Sequence, residues 1–148
     1  MRRVPAAVAV LTVDHDGDRL GLTVGSLVSL SLEPPMVGVS ISKHSPMHEL
    51  LRGAGAFGLS VLSGRQEHLA RHFAMSGMPP VARWEGIALR EGETGAPLLA
   101  DAVGWIECRL RGEFDVRTHT FFAGEVVALA RGGEPDALVY IRQGYAAL

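Results

Sequence analysis

Leu20–Pro35 reads LGLTVGSLVSLSLEPP, and the reading of this stretch decides the rest of the chain. Thr23, Ser26, Ser29 and Ser31 sit among Val24, Leu27, Val28, Leu30 and Leu32, so small hydroxyls are interleaved with apolar anchors. The pattern predicts a strand that leaves a sheet through a hydroxyl-rich turn and is stopped by Pro34-Pro35. Gly21 and Gly25 lack a Cβ and let backbone amides approach a ligand closely. Hydroxyls and amides without a basic cluster suit a phosphate ester held by O–H and N–H donors. A half-buried strand with one polar face fits the same letters, so the choice rests on the remainder of the chain.

The 148 residues predict one domain with a real core. A net charge of −2 without a basic stripe argues against nucleic acid as a partner. A single cysteine, Cys108, excludes an internal disulfide and any multi-cysteine metal site. It fits a reducing, cytoplasmic compartment. No apolar run approaches a membrane span, and the short run Ala6–Val13 passes straight into a turn, so it reads as a first strand rather than a signal peptide.

Asp14-His15-Asp16-Gly17-Asp18 then carries the Asp-Gly signature of a tight hairpin, with Arg19–Val24 as the returning strand. A calcium loop would need a glutamate where Gly25 stands. Met36–Ser42 reads as a third strand, followed by a helix capped by Ser45, opened by Pro46 and stopped by Gly53. A helix that starts directly after a strand presents free N–H groups and partial positive charge. Ser42, Lys43 and Ser45 are therefore a second candidate anion site.

Gly53–Gly58 matches G-x-G-x-x-G by letter, but it follows a helix and opens the strand Phe57–Leu62, the reverse of a dinucleotide fingerprint. Gly58–Leu62 lacks the last glycine of a nucleophile elbow. Ser63–Gln66 reads as a capping box for a helix that runs to about Met75. His68 and His72 share a face of it, yet no third ligand has convincing spacing, which favours a packing or solvated role.

Gly77–Thr94 reads as a loop able to cover a site, and Gly95–Leu99 as a short helical turn. In the strand Ala102–Val116, Ile106, Cys108, Leu110 and Phe114 share the inner face, and Glu107, Arg109, Arg111 and Glu113 the outer one. Cys108 is accordingly a packing residue. Thr120–Ala130, apolar on both faces apart from Glu125, reads as a central strand or a subunit contact. Ala137–Arg142 is a last strand and Gln143–Leu148 a tail. Six to eight strands and two clear helices predict a mainly β protein, a small antiparallel barrel.

GLTVGSLVSLSLEPPMVGVSIS, SKHSPMHELL, FGLSVLS, QEHLARHFA, APLLADAVGWIECRL, HTFFAGEV and ALVYIRQGY together resemble the flavin reductase-like family, in its order and spacing over nearly the whole chain. The resemblance implies an FMN-binding split β-barrel, Greek-key and antiparallel, with two or three short helices. It also implies a homodimer with flavin near the subunit boundary, and hydride transfer from NADH or NADPH to FMN or FAD. The reduced flavin of many relatives supplies a partner monooxygenase.

By position, Leu22, Thr23, Val24, Gly25, Ser26, Leu27 and Ser29 would hold the flavin's ring edge, ribityl chain and phosphate. Ser42, Lys43, His44 and Ser45 would clamp the phosphate side, and Phe73 would lie near the ring. His119, kept from the family's Gly-Asp-His, would meet the nicotinamide. Arg117 and Thr118 replace the first two letters, so the imidazole loses a carboxylate as orienting partner and a cation is added.

Overall fold

Asp16 and Gly17 both take left-handed φ, 52° and 89°, and Asp14 Oδ1 accepts the Gly17 N–H at 3.1 Å. This tight turn joins strands β2 (Ala9–His15) and β3 (Asp18–Val24), as the Asp-Gly pair predicts. In the computed structural model, which describes residues 1–148, the chain before them forms only the two-residue β1 (Ala6–Ala7). The other elements are β4 (Val28–Leu32), β5 (Pro35–Ser42), α1 (Pro46–Ala54), β6 (Ala56–Val61), α2 (Glu67–Ala74), α3 (Pro80–Trp84), β7 (Leu89–Arg90), β8 (Leu98–Leu99), β9 (Gly104–Val116), β10 (His119–Arg131), β11 (Leu138–Ile141) and β12 (Gly144–Ala147).

Seven strands form one sheet in the order β3-β2-β6-β9-β10-β5-β4, antiparallel throughout. The two edge strands, β3 and β4, are joined by only Gly25–Leu27. Four Cα steps span at most about 14 Å, whereas seven strands laid flat would hold their edges about 29 Å apart. The sheet must therefore curl until its edges approach. Ser26 stitches the crossing, donating from Oγ to Ser40 O (3.2 Å) and accepting from Ser40 N–H (2.9 Å).

The curled interior holds the larger core, including Leu11, Val39, Ile41, Phe57, Leu59 and Phe122, with Met47 and Leu51 of α1 closing one side. A second cluster, Val8, Val10, Leu62, Ala70, Phe73, Leu99 and Leu138, seats α2 on the outside of β2 and β3. Thr23 Oγ1 donates to Ala70 O at 2.7 Å and fixes that helix to β3. The protein is mainly β, and no helix is long and apolar enough to cross a membrane.

Several expected boundaries move for identifiable reasons. Helix α1 ends at Gly55, which has φ 66° and donates to Leu51 O, rather than at Gly53, which packs inside the helix against His15. Of the capping box only the glutamine half forms. Gln66 Oε1 accepts the Ser63 N–H at 3.0 Å, while the Ser63 hydroxyl is buried without a partner and α2 begins at Glu67. The 77–94 loop contains α3 and β7, and Leu98–Leu99 pair with β7 as β8 instead of forming a helical turn. The C-terminal tail becomes β12, because Arg142 and Gln143 take φ 53° and 63° and fold it back onto β11.

Cys108 is fully buried as expected, but the alternation along β9 fails in its first half, where Trp105, Glu107 and Cys108 are all buried and both faces are covered. Beyond Leu110 the strand outruns the core, and Phe114 is 70% exposed. Glu107 is buried rather than outward. Its carboxylate accepts from the N–H groups of Glu93 and Thr94 and from the Thr94 hydroxyl, all within 3.0 Å, and pins the 93–94 segment to the sheet. Strand β10 is central, between β9 and β5.

Candidate active site

The end of β5 and the start of α1 meet the C-terminal end of α2 across a cavity of about 370 Å³. Its floor is Leu20, Gly21 and Leu22 of β3, and one wall is Ser42, His44 and Ser45. The other wall is Phe73 to Gly77, with Arg83 of α3. Five expected site residues thus come together here: Leu22, Ser42, His44, Ser45 and Phe73. The Phe73 ring lies against Gly21, where a Cβ would stand 2.6 Å from Cδ1, so this glycine is required by an aromatic ring rather than by a ligand.

The first turn of α1 carries fewer free donors than a strand-to-helix junction suggests. Pro46 has no N–H, Ser45 Oγ accepts the Met47 N–H at 3.2 Å, and the His48 N–H donates to Ser45 O at 3.0 Å. What faces outward is the partial positive charge of the helix start and two hydroxyls. Ser42 Oγ accepts the His44 N–H at 3.2 Å, so Ser42 and Ser45 each receive a backbone donor and keep their own O–H to give.

The cation also differs from the expected one. Lys43 is ion-paired to Asp115 of β9. Arg83 instead lines the cavity at 7% exposure, with one hydrogen bond, NH2 to Met75 O at 2.9 Å, and no carboxylate within ion-pairing distance. A buried guanidinium without a counter-ion is costly unless an anion arrives to pair with it. Arg83 was not legible as a site residue because nothing in GMPPVARWEG marks its arginine as buried. His72 Nε2 bonds Arg83 O at 2.6 Å and holds α3 over the cavity, which gives this histidine a structural role.

The remaining expected residues do not line this cavity. His119 is exposed but stands opposite Ser42 in the β10–β5 ladder, and the Lys43 N–H donates to Thr118 O at 3.0 Å. Thr118 Oγ1 lies 2.9 Å from His119 Nδ1, a contact that orients the imidazole. Arg117, at the turn, has φ 59°. Val24 is in the core, the Thr23 and Ser26 hydroxyls are engaged as described, and Leu27 packs on the main core. Gly25 and Ser29 are exposed at the crossing and on β4.

The Cys108 thiol is pushed up to about 12 by burial and by the neighbouring Glu107 charge, which removes it from thiolate chemistry at neutral pH. Burial pushes the Glu107 carboxyl up. The N–H of Glu93, the hydroxyl and N–H of Thr94 and the Arg90 charge outweigh it and hold the group below the usual carboxylate range.

A donor-lined cavity with an unpaired cation could hold an anionic ligand, one that would bring its own chemistry. The family model for the flavin reductase like domain matches residues 1–148. An NADH-dependent FAD reductase of Streptomyces globisporus is 37% identical over 146 residues, covering 95% of this chain and 80% of that protein. The reductase component of 4-hydroxyphenylacetate 3-monooxygenase from Thermus thermophilus is 34% identical over 145 residues, covering 98% and 90%. The crystal structure of BorF, the flavin reductase component of a bacterial two-component tryptophan halogenase, superposes with a TM-score of 0.91 at 35% identity, over 99% of this chain and 92% of that one. Whole-length agreement in sequence and in fold leads to one conclusion: this chain belongs to the flavin reductase like family.

Proposed function

We propose that the protein is an NAD(P)H-dependent flavin reductase that transfers hydride from NADH or NADPH to FMN or FAD. The observation that carries the reading is Arg83, a buried cation facing a cavity whose opposite wall is the Ser42–Ser45 segment. These groups fit the phosphate of a flavin nucleotide. Micromolar binding requires about 8 kcal/mol, and hydrogen bonds to charged groups contribute roughly 1.5–3 kcal/mol each, so a few of them with burial of the ring suffice.

When bound, the flavin supplies the two-electron chemistry, and the protein's share is placement and exclusion of water. Ser42 and Ser45 would donate hydrogen bonds from their hydroxyls to the anionic end, Arg83 would neutralise it, and Phe73 and Leu22 would supply apolar contact. His119, exposed and in contact with the Thr118 hydroxyl, would meet the nicotinamide. Leu30 and Leu32 on β4 and Phe114 and Val116 at the β9 tip are exposed, and a second copy covering them would enclose His119. The same reading makes the protein a cytoplasmic homodimer able to supply a partner monooxygenase with reduced flavin.

The test is steady-state oxidation of NADH and NADPH with and without added FMN or FAD. Turnover that depends on flavin, with a KM for the reductant raised in His119→Ala, is the expected result. Oxidation independent of flavin, or a His119→Ala rate and KM equal to the wild type, contradicts the assignment of that step.

A further inference from the structure

The end of the seven-stranded sheet carries Ser42, the last residue of β5, and its ladder partner His119, the first of β10. The ladder fixes these strands to each other. Side-chain links fix them against α1, whose first turn belongs to the cavity wall, and against the loop before it. Lys43 pairs with Asp115, and Arg52 takes both oxygens of Glu113. Both pairs are open to solvent, which weakens them. Both also land on β9, one strand away from His119.

One link is buried. His48 Nε2 lies 2.7 Å from Thr120 Oγ1, and the His48 and Phe122 rings stand at 63° with centroids 5.3 Å apart. Glu49 Oε1 is 3.1 Å from His48 Nδ1, and a carboxylate only accepts. In the neutral ring Nδ1 therefore carries the proton, and Nε2 accepts the Thr120 O–H. Met47 and Leu51 seat the same helix in the core, so α1 is the fixed side of this contact. None of the roles assigned above uses His48.

We propose that His48 is a positioning residue for the reductant: its bond to Thr120 sets where His119 stands relative to the cavity. The inference rests on the reductase reading and on the part given there to His119. Alternation puts Thr120 and Phe122 on the covered face of β10 and His119 on the other, so the buried His48 acts only through the strand. Without the bond the sheet end shifts against α1, and the imidazole is in the productive place for less of the time. The flavin side of the cavity keeps Ser45, Phe73 and Arg83, none of which the bond holds.

The test measures KM for NADH at saturating flavin, and the flavin dissociation constant, in Thr120→Val, Thr120→Ser and His48→Phe. Thr120→Val is also combined with His119→Ala. Thr120→Val and His48→Phe raise KM about threefold or more and leave the flavin constant unchanged, whereas Thr120→Ser, which keeps the hydroxyl, retains the wild-type KM. His48→Phe keeps a ring against Phe122, so the question is answered even if valine at 120 impairs folding. In the His119→Ala background Thr120→Val adds nothing, because the side chain it would displace is gone; a merely structural role shows no such coupling. A wild-type KM in both Thr120→Val and His48→Phe, an equal rise with and without His119, or a flavin constant that rises as much as KM overturns this inference and spares the reductase reading. A wild type without flavin-dependent NADH oxidation, or a His119→Ala variant without effect, overturns the reading on which the inference rests and the inference with it.

Discussion

Replacing Arg83 by methionine separates a ligand-binding arginine from a structural one, because the two roles predict opposite signs. In the ligand-free protein the guanidinium is buried, has a single hydrogen bond to Met75 O and lacks a carboxylate partner. Methionine keeps the apolar volume, forfeits that charge-assisted bond at a cost of about 1.5–3 kcal/mol, and removes a desolvated charge whose penalty is of order several kcal/mol. Arg83→Met therefore raises the stability of the ligand-free protein by about 1 kcal/mol or more, or about 2–4 °C per kcal/mol in Tm for a chain of this size. FMN loses one charge-assisted contact of about 1.5–3 kcal/mol, a roughly 10- to 150-fold weaker dissociation constant. Riboflavin, which has no phosphate, is unaffected. Calorimetry of the ligand-free forms and fluorescence titration with both flavins measure the two signs. A fall in Tm, or equal losses for FMN and riboflavin, refutes the placement of Arg83 against a phosphate.

Arg117 takes φ 59° at the β9–β10 turn. A left-handed non-glycine residue costs about 1–2 kcal/mol and glycine's extra chain entropy about 0.5–1 kcal/mol, so Arg117→Gly raises Tm slightly; a drop would mean the side chain makes a stabilising contact. The depressed Glu107 carboxyl contributes stability that is present above the unfolded carboxylate value, about 4.3, and is lost as pH falls through its lower folded value. Protection of the Glu93 and Thr94 amides persists in the wild type as pH falls past the unfolded carboxylate range and is reduced in Glu107→Gln, whereas unchanged protection in the variant counts against the anchor. With its pKa near 12, Cys108 is about one part in ten thousand thiolate at pH 8, so iodoacetamide labels it only after denaturation. Rapid labelling of the native protein would contradict its burial.

Legibility in the sequence followed how local the governing physics was. The Asp16-Gly17 turn and the Ser45-Pro46 cap were readable because both depend on dihedral limits and a donor two or three residues away. The closure of the sheet was implicit in the short crossing at Gly25–Leu27, but it needed the strand order to become an argument. Residues whose roles depend on partners remote in sequence escaped. Glu107 looked outward by alternation, yet it is buried by two amides thirteen and fourteen residues upstream. Lys43 looked like the site's cation until Asp115, 72 residues away, was found to hold it, and Arg83 became visible only when α3 folded over the cavity. Thr23 and Ser26 read as hydroxyls that hold a ligand, whereas in the fold Thr23 donates to Ala70 O and Ser26 exchanges hydrogen bonds with the Ser40 backbone.

The most direct test is anaerobic stopped-flow absorbance on flavin-loaded protein mixed with NADH and, separately, with NADPH. Bleaching of the flavin band in a single turnover, far faster than free flavin under the same conditions and slowed in His119→Ala, is the result expected of a reductase built around this cavity. A flavin that stays oxidised with both reductants, or that bleaches no faster than in buffer, would contradict it.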